Sequence, residues 1–276
     1  MQIQKGGTSQ SEPSAHRQLR RPLRLWKHRR RVSKQRLRNL CKKYTGWKGK
    51  PMIEFEHTEV VGWEAAIRGM RNPHNSWDKS DSKYLRQEDG HIIASRYEIG
   101  PNDHDLMMRL VKAGTDHRKF MRMIVVYVDV TAPLYWWKEF ETYKVGTVSN
   151  SCSTMHSIHK KQFSLDDFSR ESLEEFYFNP FEGLDEYGPG EALIDAVRVL
   201  NFCREEYIKT NEKKWWRQMI QILPSSYNQR RTLMLNYEVL ANIYRARRNH
   251  KLTEWREFCR WIETLPYSEL ITGGAE

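Results

Sequence analysis

The stretch from Leu223 to Arg247, LPSSYNQRRTLMLNYEVLANIYRAR, constrains the chain more than any other, because a short run of β character feeds directly into a helical segment. At about 100° per residue, Asn236, Leu240, Ile243 and Arg247 share one helix face. Leu240 and Ile243 face the core on this spacing, which puts Asn236 and Arg247 where that core opens to a cleft. The planar fork of an arginine there suits phosphate or carboxylate, since it donates two parallel hydrogen bonds. The plainer reading is that Asn236 is an N-cap and Arg247 a cation at a helix C-terminus. Both readings fit the sequence.

Charge divides the chain in two. The 276 residues carry a net +11, yet residues 1–50 hold sixteen of the 46 Lys and Arg and one of the 35 acids. Residues 51–276 therefore hold thirty bases and thirty-four acids, a net of −4. Arg17 to Lys50 has too few apolar residues to pack and repels itself, so an extended or partly helical arm is expected. Its aromatics, Trp26, Tyr44 and Trp47, suit stacking on bases while its arginines meet phosphates. Two other readings compete with a nucleic-acid arm over residues 17–50: an organelle transit peptide, and an extension translated from an upstream start codon. The composition breaks at Pro51-Met52, which favours a dispensable extension over residues 1–51 and a single folded domain over 52–276.

The longest apolar run, Met123 to Val128, is far too short to span a bilayer. Cys41, Cys152, Cys203 and Cys259 are scattered without Cys-x-x-Cys spacing, so reduced thiols and a cytoplasmic location are expected. Along the body, MIEFEH (52–57) reads as a strand and Val60 to Met70 as a helix, followed by a loop from Arg71 to Ser82. Pro101-Asn102 with Asp105 opens a helix that stops at Gly114. Phe120 to Val130 is the best strand in the chain. Glu191 to Ile208 repeats Leu193, Val197, Leu200, Cys203 and Tyr207 at helical spacing, and Leu252 to Thr264 adds Trp255, Phe258, Cys259 and Ile262. Strands near 52, 120 and 229 joined by long connections give an α+β fold. The pairs Trp136-Trp137 and Trp215-Trp216 are expected to place one ring each against a neighbouring element or subunit.

Several chemistries lack their motifs. There is no Walker loop and no Gly-x-Gly-x-x-Gly, so the usual phosphate cradles are missing. His156 and His159 have no third ligand spaced beside them and read as part of a solvated basic patch, so no metal is expected. SNSCST (149–154) has no nucleophile elbow.

Leu223-Pro224, then Asn236, Asn242 and Arg247 at intervals of six and five, resembles the C-terminal signature of the flavin-dependent thymidylate synthases. A second segment follows that family in order, with His117 and Phe120, a β-like run to Val130, Pro133, and the helical WWKEF. The similarity spans residues 115–155 and 220–262. The family's Arg-His-Arg, seven residues, then Ser is replaced by Thr142-Tyr143-Lys144, seven residues, then Cys152. Glu139 stands where the family has a glutamine, Asn150 where it has a glutamate, and Thr154-Met155 where it has Arg-Tyr. Lys144 keeps one charge without the bidentate fork.

The resemblance implies a thymidylate synthase complementing protein-like fold: a central, mainly antiparallel sheet flanked by helices, in a homotetramer with active sites between subunits. It implies FAD as cofactor, NADPH and methylenetetrahydrofolate as co-substrates, and methylation of dUMP to dTMP. His117, Asn236 and Asn242 would then contact the flavin. Glu139, Ser151 and Arg247 would meet the nucleotide, with Lys144 and Cys152 as the catalytic candidates beside them. A carboxylate at 139 opposes a phosphate unless an arginine pairs with it. Two alternatives stand beside this one: a diverged relative that modifies or senses another nucleotide, and a nucleic-acid binder working through the basic arm. A chain begun at Met52 is expected to fold and stay in solution as the full chain does. Circular dichroism and sedimentation check this, and loss of either property defeats the reading of the arm as dispensable.

Overall fold

The computed structural model describes residues 52–86, 92–173 and 188–273. The basic arm and the boundary placed at residue 51 lie outside them. In chain order the elements are β1 (Glu54–Val61), α1 (Trp63–Arg71), β2 (Lys83–Arg86), β3 (Ile92–Glu98), α2 (Pro101–Lys112), β4 (Val125–Pro133), α3 (Leu134–Phe140) and β5 (Val148–Ser151). There follow α4 (Thr154–Ser157), α5 (Pro189–Thr210), α6 (Lys213–Ile222), β6 (Asn228–Asn236), α7 (Tyr237–Arg247), α8 (Thr253–Glu263) and α9 (Glu269–Thr272). β1, β4, β6 and β5 form one antiparallel sheet in that order, and β2 and β3 form a separate hairpin. The fold is α+β, as the sequence implies.

β4 is the strand around which the sheet is built. Val126, Val128, Val130 and Ala132 alternate into the core while Tyr127 stays exposed, the period-two pattern of a half-buried strand. It begins later than the apolar run suggests. Lys119–Arg122 is a 3-10 turn, because the ladder to β6 ends at the pair Val125 and Asn236. One more backbone bond, Tyr237 N to Ile124 O, closes that end, and upstream residues have no strand to pair with. Helix α1 also starts later than expected, since Val60 and Val61 pair with Val126 and Val125. Gly62, at φ 94°, makes the switch from strand to helix, and a Cβ there would collide with the carbonyl of Met123.

Two apolar clusters hold the molecule together. The larger lies between the sheet and helices α1, α2, α3, α7 and α8, with Trp136, Trp137, Phe140, Trp255 and Phe258 at its centre. Both indoles of the Trp136-Trp137 pair are fully buried within the chain, and Trp136 packs against Trp255 and Phe258, so it meets a neighbouring element and not a subunit. Trp137 donates Nε1 to the Gln229 carbonyl, so its polar atom is satisfied by β6. The smaller cluster packs α5 against α6 through Leu193, Val197, Leu200, Cys203 and Met219. Trp216 sits beside it, donating Nε1 to Met155 O, and Trp215 meets Phe202 edge-on.

The polar loop after α1 is ordered by one buried carboxylate. Asp103 accepts Arg71 Nε at 2.6 Å on one oxygen. On the other it accepts the hydroxyls of Ser80 and Ser82 and the backbone amides of Asp81 and Ser82. Arg71 completes the knot by donating to the carbonyls of Ser76 and Lys79. Asp81 caps α2 from outside by accepting the amides of Asn102 and Asp103, whereas Asp105, expected to cap it, pairs with Arg109 one turn on. Burial alone would raise the Asp103 pKa, but hydrogen bonds from Ser82, Ser80 and Arg71 outweigh it and hold the carboxyl below its usual value. Asp103→Ala leaves the Arg71 guanidinium buried and unpaired, at a cost of about 3–5 kcal/mol. The carboxylate's contribution is full above about pH 4, the unfolded value, and is lost as pH falls through the depressed folded pKa. Urea denaturation of wild type and variant should therefore differ at neutral pH and converge in acid.

Candidate functional site

Helix α7 presents two polar surfaces. Its start and its end both touch the segment that runs from α3 to β5. Asn236 accepts the Val239 amide at 3.0 Å through Oδ1, and its Nδ2 lies 3.4 Å from the Gly146 carbonyl. The N-cap reading therefore holds, and the same side chain reaches the turn before β5. Gly146 has φ 76°, and a Cβ there would stand 2.9 Å from Asn236 Nδ2. At the far end Arg247 donates Nε to Tyr143 Oη and Nη1 to Glu139 Oε2, both at 2.9 Å. Its guanidinium lies over the Trp255 ring, 4.6 Å from the centroid. Trp255 Nε1 also donates to Glu139 Oε2, at 3.0 Å. An arginine thus pairs with the carboxylate at 139, and an indole covers one face of that arginine.

The other side of α7 borders a cavity. Arg118 is buried and pairs with Glu238 in the first turn of α7, with Nη2 donating to Oε1 at 3.2 Å. Its Nε stands 3.0 Å from Oε2 but off line for a second hydrogen bond. Next to this pair opens a space of about 550 Å³, lined by Lys112, Gly114, Thr115, Arg118, Arg245 and Gly273. Gly114 has φ 100° and nothing within 4 Å of where its Cβ would be. The lining is basic, with the charges of Lys112 and Arg245 added to an Arg118 already neutralised by Glu238.

The predicted residues divide between these two surfaces. His117 is exposed in the turn after α2, between the cavity residues Thr115 and Arg118, its backbone amide donating to Gly114 O. Asn242 is exposed, and its Oδ1 lies 3.5 Å from Arg245 Nη2 at the cavity wall. Asn236, Glu139 and Arg247 form the opposite surface. Lys144 is exposed in the turn between α3 and β5, while Ser151 and Cys152 are exposed at the far end of β5. The four residues of β5 span about 13 Å at about 3.3 Å each. Lys144 and Cys152 therefore sit at opposite ends of that strand, and the backbone does not bring them together. Cys152 continues the ladder, donating its amide to Arg230 O and accepting Gln229 Nε2 on its carbonyl.

Sequence reasoning missed Lys112, Arg118, Tyr143 and Arg245. Arg245 could have been found from its spacing of three from Asn242, which puts the two on one helix face. Nothing in the sequence marks Arg118 as the partner of Glu238, 120 positions away.

The outer face of the sheet carries a charged network. Asp129 accepts from Arg230, Thr232 and His57, and Arg230 also pairs with Glu56. The hydrogen bond from Arg230, helped by Thr232, draws the Asp129 carboxyl down to about 2. Val61, Tyr127 and Val148 lie exposed on this face. No described helix is long and apolar enough to cross a membrane.

Two solved structures of the flavin-dependent thymidylate synthase ThyX from Helicobacter pylori, each with FAD and dUMP, share this fold. One superposes with a TM-score of 0.53 at 15% identity, covering 80% of this chain and 96% of the other. The second gives 0.55 at 17% identity, covering 81% and 99%. No family model matches the sequence, and no curated protein does. At such identity the likeness establishes the fold. Asn236→Ala removes the cap of α7 and should cost about 1 kcal/mol, read as a lower midpoint in urea. An unchanged midpoint would free Asn236 from its structural role.

Proposed function

We propose that this chain is a nucleotide-binding flavoprotein of the thymidylate synthase kind, with residues 52–276 as one domain. Its leading activity is reductive methylation of dUMP, with methylenetetrahydrofolate as carbon donor and NADPH as reductant. The observation that carries the reading is the two-sided geometry of α7. Asn236 and Arg247 meet the 139–147 segment on one surface, and Asn242 and Arg245 border the basic cavity on the other.

The cavity residues fit the anionic part of a dinucleotide flavin. About 550 Å³ is within the range of small-molecule sites, and Lys112 and Arg245 supply charge for a pyrophosphate. Asn242 and His117 would orient the group, with the open space at Gly114 leaving room for it. A flavin held there would be separated by α7 from a nucleotide at Arg247 of the same chain, so its hydride would serve a nucleotide brought to the cavity by a second subunit, and the protein would contribute position and electrostatics. On the other surface Glu139 and Arg247 would meet the nucleotide, with Ser151, Lys144 and Cys152 nearer the edge of the sheet.

A homotetramer completes this reading, as it does in the family the chain resembles. The exposed Val61, Tyr127 and Val148 on the outer sheet face supply apolar area for a second copy. We keep a cytoplasmic setting as part of this reading, which the free thiols of Cys152, Cys203 and Cys259 suit. The ion pair of Glu139 with Arg247 favours a second reading, a relative that keeps the fold and pocket for another nucleotide.

Flavin titration followed by visible absorbance tests the assignment. Wild type should bind FAD, and Asn242→Ala and Arg245→Ala should each weaken binding roughly tenfold, about the loss of one good hydrogen bond. Equal affinity in all three would remove both residues from the pocket.

A further inference from the structure

Arg118 is only 3% exposed, yet one edge of it is unclaimed. A guanidinium presents paired parallel donors on two edges, Nε with Nη2 and Nη1 with Nη2. Glu238 lies along the first of these: Nη2 donates to Oε1 at 3.2 Å, and the enclosed Nε stands 3.0 Å from Oε2. The second edge is left over. Among the described residues nothing bonds to Nη1, which unlike Nε is not sealed off, and Nη2 gives only one of its two hydrogens to Glu238. The space this side chain borders is the cavity of about 550 Å³ beside α7.

Two more cations share that space. Lys112 and Arg245 line it, and among the described residues neither makes an ion pair; Arg245 has only its 3.5 Å contact with Asn242 Oδ1. None of the described residues lining the cavity is acidic. With Glu238 set against Arg118, two positive charges remain uncompensated around one hollow, and charges of one sign lining a cleft concentrate a counter-ion there. A diphosphate that links two nucleosides carries two negative charges, so it matches that excess.

We propose that the Nη1–Nη2 edge of Arg118, aimed by Glu238, anchors a diphosphate in this cavity, while Lys112 and Arg245 neutralise its charge. The proposal rests on the flavin reading above for the identity of the occupant, and it names the residue that carries the occupant's anionic part. Glu238 is a positioning residue: it is 6% exposed, and by clamping one edge of the guanidinium it fixes the other before a ligand arrives. A flavin dinucleotide, a nicotinamide dinucleotide and a nucleoside diphosphate all present this group.

Calorimetric titration of the full chain with inorganic pyrophosphate, FAD, NADPH and ADP tests the site and separates those sources. Wild type should bind pyrophosphate, and K112A and R245A should each weaken it several-fold. R118K keeps a cation against Glu238 but lacks the fork, and should weaken pyrophosphate roughly tenfold or more. E238Q keeps an acceptor for Nη2 and removes a negative charge, so it should tighten pyrophosphate several-fold. An ion pair with a structural role alone would lower the urea midpoint in both variants and leave pyrophosphate affinity where it was. Should R118K fail to fold, E238Q, K112A and R245A still decide the matter. Wild type that does not bind pyrophosphate overturns the proposal, as does affinity unmoved by E238Q, K112A and R245A. If pyrophosphate responds as stated while FAD does not bind, or binds R118K as well as wild type, the anion site stands and the flavin reading of the cavity falls; NADPH or ADP binding that R118K weakens then identifies the occupant.

Discussion

The ladder between β4 and β6 is the constraint from which the rest follows. It runs without a break from Val125 against Asn236 to Pro133 against Asn228. Each strand passes straight into a helix, β4 into α3 at Leu134 and β6 into α7 at Tyr237, and because the pair is antiparallel those helices start from opposite ends of the sheet. Their seven and eleven residues rise about 27 Å in all at about 1.5 Å per residue, against about 30 Å for a nine-residue strand. The C-terminal ends of α3 and α7 are thereby brought together, and there Glu139 meets Arg247. The pairing is a consequence of strand register and helix length, and a shift of β6 by one residue would turn Leu233 and Leu235 out of the core.

The sequence made this half of the geometry legible and hid the other. Asn236 and Arg247 lie at the ends of one helical stripe, and periodicity alone placed Leu240 and Ile243 between them in the core. The helical runs from 189 and from 253 were visible for the same reason. Periodicity reports which way a side chain faces and says nothing of what stands opposite. The partners 108 positions from Arg247 and 120 from Arg118 were therefore beyond reach. The start of β4 was misplaced because Phe120, Met121 and Ile124 are as buried as strand residues, and only the end of β6 decides where pairing stops. Asp103 was overlooked because a carboxylate on the apolar side of a helix looks like an interruption until five donors are found around it.

The polar residues are distributed so that the fold tolerates change in them. Trp136, Trp137, Phe140, Trp255 and Phe258 occupy the middle of the layer between sheet and helices, whereas Glu139, Thr142, Lys144 and Cys152 lie at helix ends, turns and a strand edge. Substituting Thr142, Lys144 or Cys152 costs little packing, since exposed positions away from caps and buried pairs are usually worth less than about 0.5 kcal/mol. A chain can therefore keep this architecture at 15–17% identity to proteins of the same fold. Fold and chemistry are separable here because they are written in different residues.

The side chains around Arg247 form a consistent set. The Tyr143 hydroxyl takes the Nε of Arg247. Glu139 places a negative charge beside the same guanidinium and fixes it through Nη1. Trp255 supports both partners, stacking beneath Arg247 and donating to Glu139. A carboxylate installed alone would leave a half-exposed charge against an aromatic wall, and an arginine alone would be free to take phosphate. Together they make a neutral pair, so Glu139 and Tyr143 act as a unit on Arg247.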